Sequence, residues 1–262
     1  MPDVSWLDLA TAALSGGMVV KALDIAYLEY QARKQRKWTA KRFVDENLDP
    51  LLKAGDELVG KIRSLAERDF TPLISETFTP SQASISEGYA SVAYLFARFW
   101  ARVDILRREG LYIELSHDQR GKRLMSFLGC LESQRVRIVD RTRQRAIGET
   151  LVQTTIGGKL DCIPFVEFVE KYERDQRFRD WVSPLVQVLA RARYRADKQR
   201  LLQYGVVVHA LLDTLDQEHV VTNDRPSYPN KLSKKTKRSL KYRVFGQYSP
   251  FVLNQWKYYG RA

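Results

Sequence analysis

The chain has 262 residues, of which 44% are hydrophobic and 11% aromatic, and a formal charge of +12. Such a composition excludes global disorder, and the length allows one large domain or two small ones. The charge is concentrated: Arg225 to Ala262 holds ten lysines and arginines and no acidic residue, whereas the preceding 224 residues carry 33 basic and 31 acidic side chains. A localised excess of this kind attracts anions through space.

The sequence opens Met1-Pro2-Asp3 without a basic n-region or a cleavage site, so a cytoplasmic body with no secretory signal peptide is expected. Leu9 to Val20 (LATAALSGGMVV) is free of charge but shorter than the roughly 20 apolar residues a membrane span requires. Extending it to Tyr30 brings in Lys21, Asp24 and Glu29, and each charge near the centre of a span costs on the order of 2.5 to 3.5 kcal/mol. Other features favour a membrane. Trp6 lies at one end, Tyr27 and Tyr30 at the other, and Arg33, Lys34, Arg36 and Lys37 follow, as aromatic belts and basic cytoplasmic flanks do. Lys21 and Asp24 are three apart and can partly neutralise each other on a helix. Residues 1–37 therefore read in three ways: an inner-membrane anchor, a core helix, or an interfacial or partner-docking helix.

Residues 38–221 read as a helical bundle. Thr39 to Leu48 forms one helix, and Asp49-Pro50 starts the next by the cap-then-proline rule, with Leu51, Leu52, Leu58, Ile62 and Leu65 inward. Residues 71–84, rich in Thr, Ser and Pro, read as a loop. Ile85, Tyr89, Val92, Phe96, Phe99, Val103 and Leu106 then alternate spacings of four and three, a heptad seam whose bulky rings suit the central helix of a bundle. Ser116 with Gln119 forms a capping box for a helix carrying Leu124, Phe127, Leu128 and Leu131, with room to run on through Val136, Val139, Ile147 and Leu151 with at most a kink near Ser133. Thr155 to Asp161, with Gly157-Gly158, is the place for a turn or small hairpin. Pro164 opens a helix with Phe165, Phe168, Val169 and Tyr172, and Ser183-Pro184 repeats the cap-then-proline device. A last body helix places Leu201, Gly205, Val208, Leu212 and Leu215 on one stripe. The expected fold is all-α: a bundle of long amphipathic helices with at most one short hairpin and a basic, aromatic C-terminal segment, residues 222–262.

Motifs for chemistry are scarce. His117, His209 and His219 lie far apart in sequence, as do Cys130 and Cys162, so neither a metal site nor a disulfide framework is expected. His209, within an apolar helix, reads as a hydrogen-bonded structural histidine. No arginine stands four to six residues before any histidine, which disfavours helical ribonucleases of the HEPN type. Gly157-Gly158-Lys159 lacks the remaining residues of a phosphate loop, and no cofactor is implied. Arg135, Arg137, Arg141, Arg143 and Arg145 read mainly as a solvated face, with Arg145 and Glu149 paired across one turn. The alternative is a buried polar network of Arg98, Arg102, Arg141, Arg145 and Glu149, the one place for an enzymatic site of unrecognised class.

The C-terminal segment interleaves Tyr228, Tyr242, Phe245, Tyr248, Phe251, Trp256, Tyr258 and Tyr259 with cations. Lys231, Lys234, Lys235, Lys237, Arg238, Lys241 and Arg243 are its candidate anion- or nucleic-acid-binding residues. Cations with stackable rings suit single-stranded nucleic acid and equally an anionic lipid surface. A third reading packs the rings on the bundle and leaves the cations solvated.

Asp49-Pro50-Leu51-Leu52-Lys53-Ala54 leading to Glu57-Leu58, Ile105-Leu106-Arg107-Arg108-Glu109, and Gln144-Arg145-Ala146-Ile147-Gly148-Glu149 resemble motifs of a group of uncharacterised bacterial all-helical proteins. The resemblance covers roughly residues 20 to 150. It implies an N-terminal hydrophobic segment and no particular activity. The functional expectation is a non-enzymatic, membrane-associated helical interaction module whose basic end contacts an anionic partner, with self-association through helices also open. A soluble nucleic-acid-binding accessory protein is the alternative.

Overall fold

A computed structural model describes residues 6–75, 84–109 and 118–260. Its first helix, α1 (Trp6–Glu67), runs through 62 residues with Pro50 inside it, in place of the two helices expected to meet at Asp49-Pro50. Proline removes one backbone hydrogen bond and costs about 3 kcal/mol in a helix interior. Burial on both sides offsets that: Val44, Leu48, Leu51, Leu52, Leu58, Val59 and Ile62 all lie in the core. Helical continuity across Pro50 is thus a tertiary effect.

A short turn of helix, α2 (Thr71–Ile74), begins the stretch expected as a loop; residues 76–83 lie outside the described ones. α3 (Glu87–Glu109) carries six residues of the heptad seam, Ile85 lying just before it, and all seven, Ile85 to Leu106, are buried in the central cluster. α4 (Gln119–Leu131) starts at Asp118, whose carboxylate accepts from the amides of Arg120 and Gly121 at 2.8 and 3.0 Å. The expected capping residue Ser116 lies outside the described residues.

The helix expected to continue to Leu151 ends at Leu131. Ser133 O accepts from the amides of both Val136 and Arg137, turning the chain, and Asp140 caps a separate helix, α5 (Arg141–Thr150), at Thr142 N. The break lets α5 fold back onto α3. There Gly148 is required, since a Cβ would fall 2.7 Å from the Trp100 carbonyl carbon.

β1 (Val152–Thr154) and β2 (Leu160–Cys162) form the anticipated hairpin, antiparallel with Gln153 opposite Asp161. α6 (Phe165–Arg174) follows Pro164, and α7 (Gln176–Ala190) is capped by Asp175 rather than by Ser183, so Pro184 lies inside the helix. Asp175 Oδ1 accepts from two amides, Arg177 N at 2.9 Å and Phe178 N at 3.3 Å, which outcompetes a later start at Ser183. Cys130 and Cys162 are free thiols; burial pushes Cys130 up to about 12.

α8 (Arg195–Leu215) is the axis of the molecule. Every residue from Leu201 to Leu212 is buried, where the sequence pattern indicated a single stripe. The C-terminal segment covers the other faces: α9 (Lys234–Ser239) passes without interruption into a π-helical turn, Leu240–Phe245, and then α10 (Gly246–Tyr248). Leu232, Leu240, Val244, Phe245, Val252 and Tyr258 join the same hydrophobic cluster as α3 and α8. A last turn, α11 (Trp256–Tyr259), closes the described chain.

Candidate functional site

The C-terminal segment is attached at both ends by body carboxylates. Asp56 on α1 receives Arg225 Nε at 2.7 Å and Nη2 at 3.0 Å, and Asn223 at 2.5 Å. Burial raises the Asp56 pKa, but hydrogen bonds from Arg225 and Asn223 and the Arg225 charge together outweigh it and hold the carboxyl below the ordinary range. At the far end Asp213 on α8 receives Lys257 Nζ at 2.7 Å and the Tyr258 hydroxyl at 2.6 Å. Between them Tyr228 passes over Gly205, its hydroxyl donating to Leu202 O at 3.2 Å. A Cβ on Gly205 would fall 2.4 Å from that hydroxyl and 2.8 Å from Ile62.

This attachment sorts the segment's residues. Tyr228, Phe245 and Tyr258 are buried and Tyr248, Phe251 and Tyr259 pack partly against the core, while Tyr242 and Trp256 are exposed. Most of the rings therefore serve packing, and Tyr242 is the one that stands among the candidate cations. Lys231, Lys234, Lys235, Lys237, Arg238, Lys241 and Arg243 lie on the turn at Pro229–Lys231, on α9 and on the π turn. None of the seven pairs with a described carboxylate; the ion pairs of the segment belong to Arg225 and Lys257.

Lys234 and Lys235 form one wall of a groove of about 770 Å³, facing Arg195 and Arg200 of α8 across a floor of Gln199, Gln203, Ser233, Thr236 and Ser239. Gln199 joins the walls: its Nε2 donates to Lys231 O at 2.9 Å and its Oε1 accepts from Ser233 N at 2.7 Å. Gln203 Nε2 reaches Arg135 O at 3.2 Å and the Ser239 hydroxyl at 3.5 Å. The α8 half of this groove was missed in the sequence because it lies more than 30 residues from the lysines. A signal was present: Arg195, Gln199 and Gln203 are polar at successive intervals of four, and Gln203 falls inside the apolar run that begins at Leu201.

The five residues considered as one polar network are distributed among separate pairs. Arg98 binds Glu57, and Arg102 binds Asp161 of the hairpin. Arg141 and Arg145, together with Arg107, converge on Glu132, at 3.0, 2.8 and 2.6 Å. Glu149 pairs with Arg108 at 3.2 Å rather than with Arg145. Glu132 is 8% exposed. Burial pushes its pKa up, but the Arg145 hydrogen bond and the Arg107 and Arg145 charges prevail and lower it. Glu132, the hub, sits at the end of α4 where the helix was expected to run on, and nothing in its local pattern distinguishes it.

A second buried cluster surrounds Asp213. His209 is 2% exposed and neither ring nitrogen has a hydrogen-bond partner, Nε2 standing 3.5 Å from Asp213 Oδ1. The expected hydrogen-bonded histidine is thus packed instead, edge-on against Tyr258. Burial lowers its pKa, and the Asp213 charge opposes that. His219 comes within 3.9 Å of the same carboxylate and 3.7 Å of Asp224. The Lys257 ammonium already bridges the two aspartates, at 2.7 and 3.9 Å. Among the described residues no group of His, Cys, Asp and Glu is arranged to hold a metal ion.

The N-terminal part of α1 is the opposite of the C-terminal segment. Every side chain described between Lys21 and Arg42 is exposed, and burial begins at Val44. At 1.5 Å per residue this uncovered arm is about 33 Å long. Leu23, Ile25, Tyr27, Leu28, Tyr30 and Trp38 are 61–64% exposed. Tyr27, Tyr30 and Trp38 share a shallow depression of about 610 Å³ with Lys34, Lys37 and Lys41, so rings and ammonium groups lie together on one face. Glu29 is taken by Arg33 at 2.5 Å. Among the described residues no helix is long and apolar enough to cross a membrane. No protein-family model, curated protein or solved structure matches the chain.

Proposed function

We propose that the protein is a helical interaction module that works at an anionic membrane surface, attached peripherally by the α1 arm, with its unpaired C-terminal cations turned to an anionic partner. One observation carries this reading: the arm leaves large rings uncovered beside lysines on a single face. Tyrosine and tryptophan settle at the headgroup level of a bilayer, and lysines beside them meet anionic headgroups. The uncharged run Leu9 to Val20 precedes this face in the sequence, where an apolar tip entering the acyl boundary would be.

The test is co-sedimentation of the full chain with phosphatidylcholine vesicles with and without phosphatidylglycerol. Binding should require the anionic lipid and weaken with salt. Each lysine near such a surface contributes about 1 kcal/mol, so changing Lys34, Lys37 and Lys41 to Gln together should weaken binding about 100-fold. Replacing Tyr27, Tyr30 and Trp38 by Ala should weaken it further. A chain that ignores the vesicles, or a lysine variant that binds them like the parent, overturns the reading.

A further inference from the structure

We infer that the groove between α8 and α9 is a binding site for the phosphate backbone of single-stranded nucleic acid. This rests on the reading above only in giving the C-terminal cations an anionic partner, and it is independent of what the arm binds.

The groove concentrates positive charge, and of its four cations only Arg200 has a carboxylate within reach. Arg195, Arg200, Lys234 and Lys235 line it and no carboxylate does. Asp197, the acidic residue nearest in sequence, is 5% exposed and bound to Arg191 at 3.1 Å, with Arg200 only at 3.7 Å. Arg195, Lys234 and Lys235 have no ion pair with a described residue. Like charges on opposite walls repel, and walls free to move would separate. These are held together: Gln199 bonds to the backbone on both sides of Leu232, and Leu232 and Leu240 are buried in the core. A bound anion relieves the repulsion without requiring rearrangement, which is the arrangement of a preorganised site.

The lining selects the anion. Hydroxyls of Ser233, Thr236 and Ser239 lie in the floor beside the Gln199 and Gln203 amides, and hydroxyls bond to phosphate and sugar oxygens without reading a base sequence. Two exposed rings flank the groove along the chain: Tyr194, directly before Arg195 and 51% exposed, and Tyr242, three residues beyond Ser239 and 62% exposed. Stacking of bases on such rings requires that the bases be unpaired, which favours a single strand over a duplex. A flat lipid surface makes no use of a recessed amide floor.

The experiment is fluorescence anisotropy of the full chain with a labelled oligothymidylate, against a duplex of the same length and inorganic phosphate as competitors. Single-strand affinity should fall with salt with a log–log slope of about −2.8 for four phosphate contacts. Lys234→Gln with Lys235→Gln should reduce that slope by about half, and Tyr194→Ala should weaken binding about tenfold. Lys159→Gln, on the distant hairpin, should change nothing. Arg195→Gln repeats the charge test from the α8 wall, leaving the Gln199 clamp in place, so a folding defect in the lysine variant does not decide the outcome. Salt-insensitive binding, no binding, equal affinity for the duplex, or unaltered affinity in both charge variants overturns the inference. Vesicle association that persists in the Lys234/Lys235 variant, and oligonucleotide binding that persists in the Lys34/Lys37/Lys41 variant, separate this site from the arm.

Discussion

The two ends of the chain have similar compositions and opposite fates. The arm from Lys21 to Arg42 and the segment from Arg225 to Gly260 both mix lysines and arginines with tyrosine and tryptophan. In the C-terminal segment Tyr228, Phe245 and Tyr258 enter the core, while in the arm Tyr27, Tyr30 and Trp38 remain uncovered. The difference is made by the body. Asp56 and Asp213 hold Arg225 and Lys257, Gly205 opens a path for Tyr228, and α8 is surrounded by core from Leu201 to Leu212. The arm meets no such counterpart among the described residues. A basic, aromatic stretch therefore becomes core or interaction surface according to what the rest of the chain places opposite it.

The strongest way to break this comparison is to delete rings from both ends. Phe245→Ala should destabilise the fold by about 3 to 5 kcal/mol, as removal of a buried aromatic does. Tyr30→Ala should change stability by no more than about 0.5 kcal/mol, as for an uncovered surface residue. Urea denaturation followed by circular dichroism checks both, and equal costs would show that the two ends are packed alike. Next in size is Asp56→Asn, which leaves Arg225 without its carboxylate and should cost about 3 kcal/mol; the same denaturation series measures it. Gly205→Ala forces a Cβ against Tyr228 and Ile62 and should cost about 1 to 3 kcal/mol by overpacking. Gly205→Ala combined with Tyr228→Phe should recover part of that loss, since the hydroxyl is the closest obstacle.

The smallest effects are those of pH. Glu132, Asp56 and Asp216 are held below the ordinary carboxylate range, each by hydrogen bonds that together outweigh burial. Their unfolded forms take up protons first, so their stabilisation is complete above about pH 4 and lost as pH falls through the lower folded values. His209 acts in the same direction at higher pH. Its folded pKa lies below the ordinary value, burial being the main cause, so stability should begin to decline as pH falls below about 6.5. Thermal denaturation across pH should show both declines. His209→Leu should remove the decline that begins near about pH 6.5 and leave the one below about pH 4, and an unchanged profile in that variant would place the transition elsewhere.

Much of the bundle was legible in the sequence. The seam from Ile85 to Leu106 could be read because one helix face repeats its contacts every seven residues, and the Gly157-Gly158 hairpin because its turn chemistry is local. Helix boundaries were harder. Asp49-Pro50 and Ser183-Pro184 carry helix-start signals that packing overrode, and the turn at Ser133 has no glycine or proline to announce it. Of the candidate site, the lysines from Lys231 to Lys241 were visible as a charge run. Arg195, Arg200 and the Gln199 clamp were not, because the groove is assembled from elements far apart in the chain.

The sequence alone determined that the protein is helical and that its positive charge gathers near the C-terminus: periodicity and charge density are properties of neighbouring residues. Only the tertiary structure decided which rings are buried, that three arginines share Glu132, and that Lys234 and Lys235 share a groove with Arg195 and Arg200 of α8. Those outcomes depend on which surfaces meet when distant segments pack, and burial and ion pairing are energies of the contact rather than of either segment.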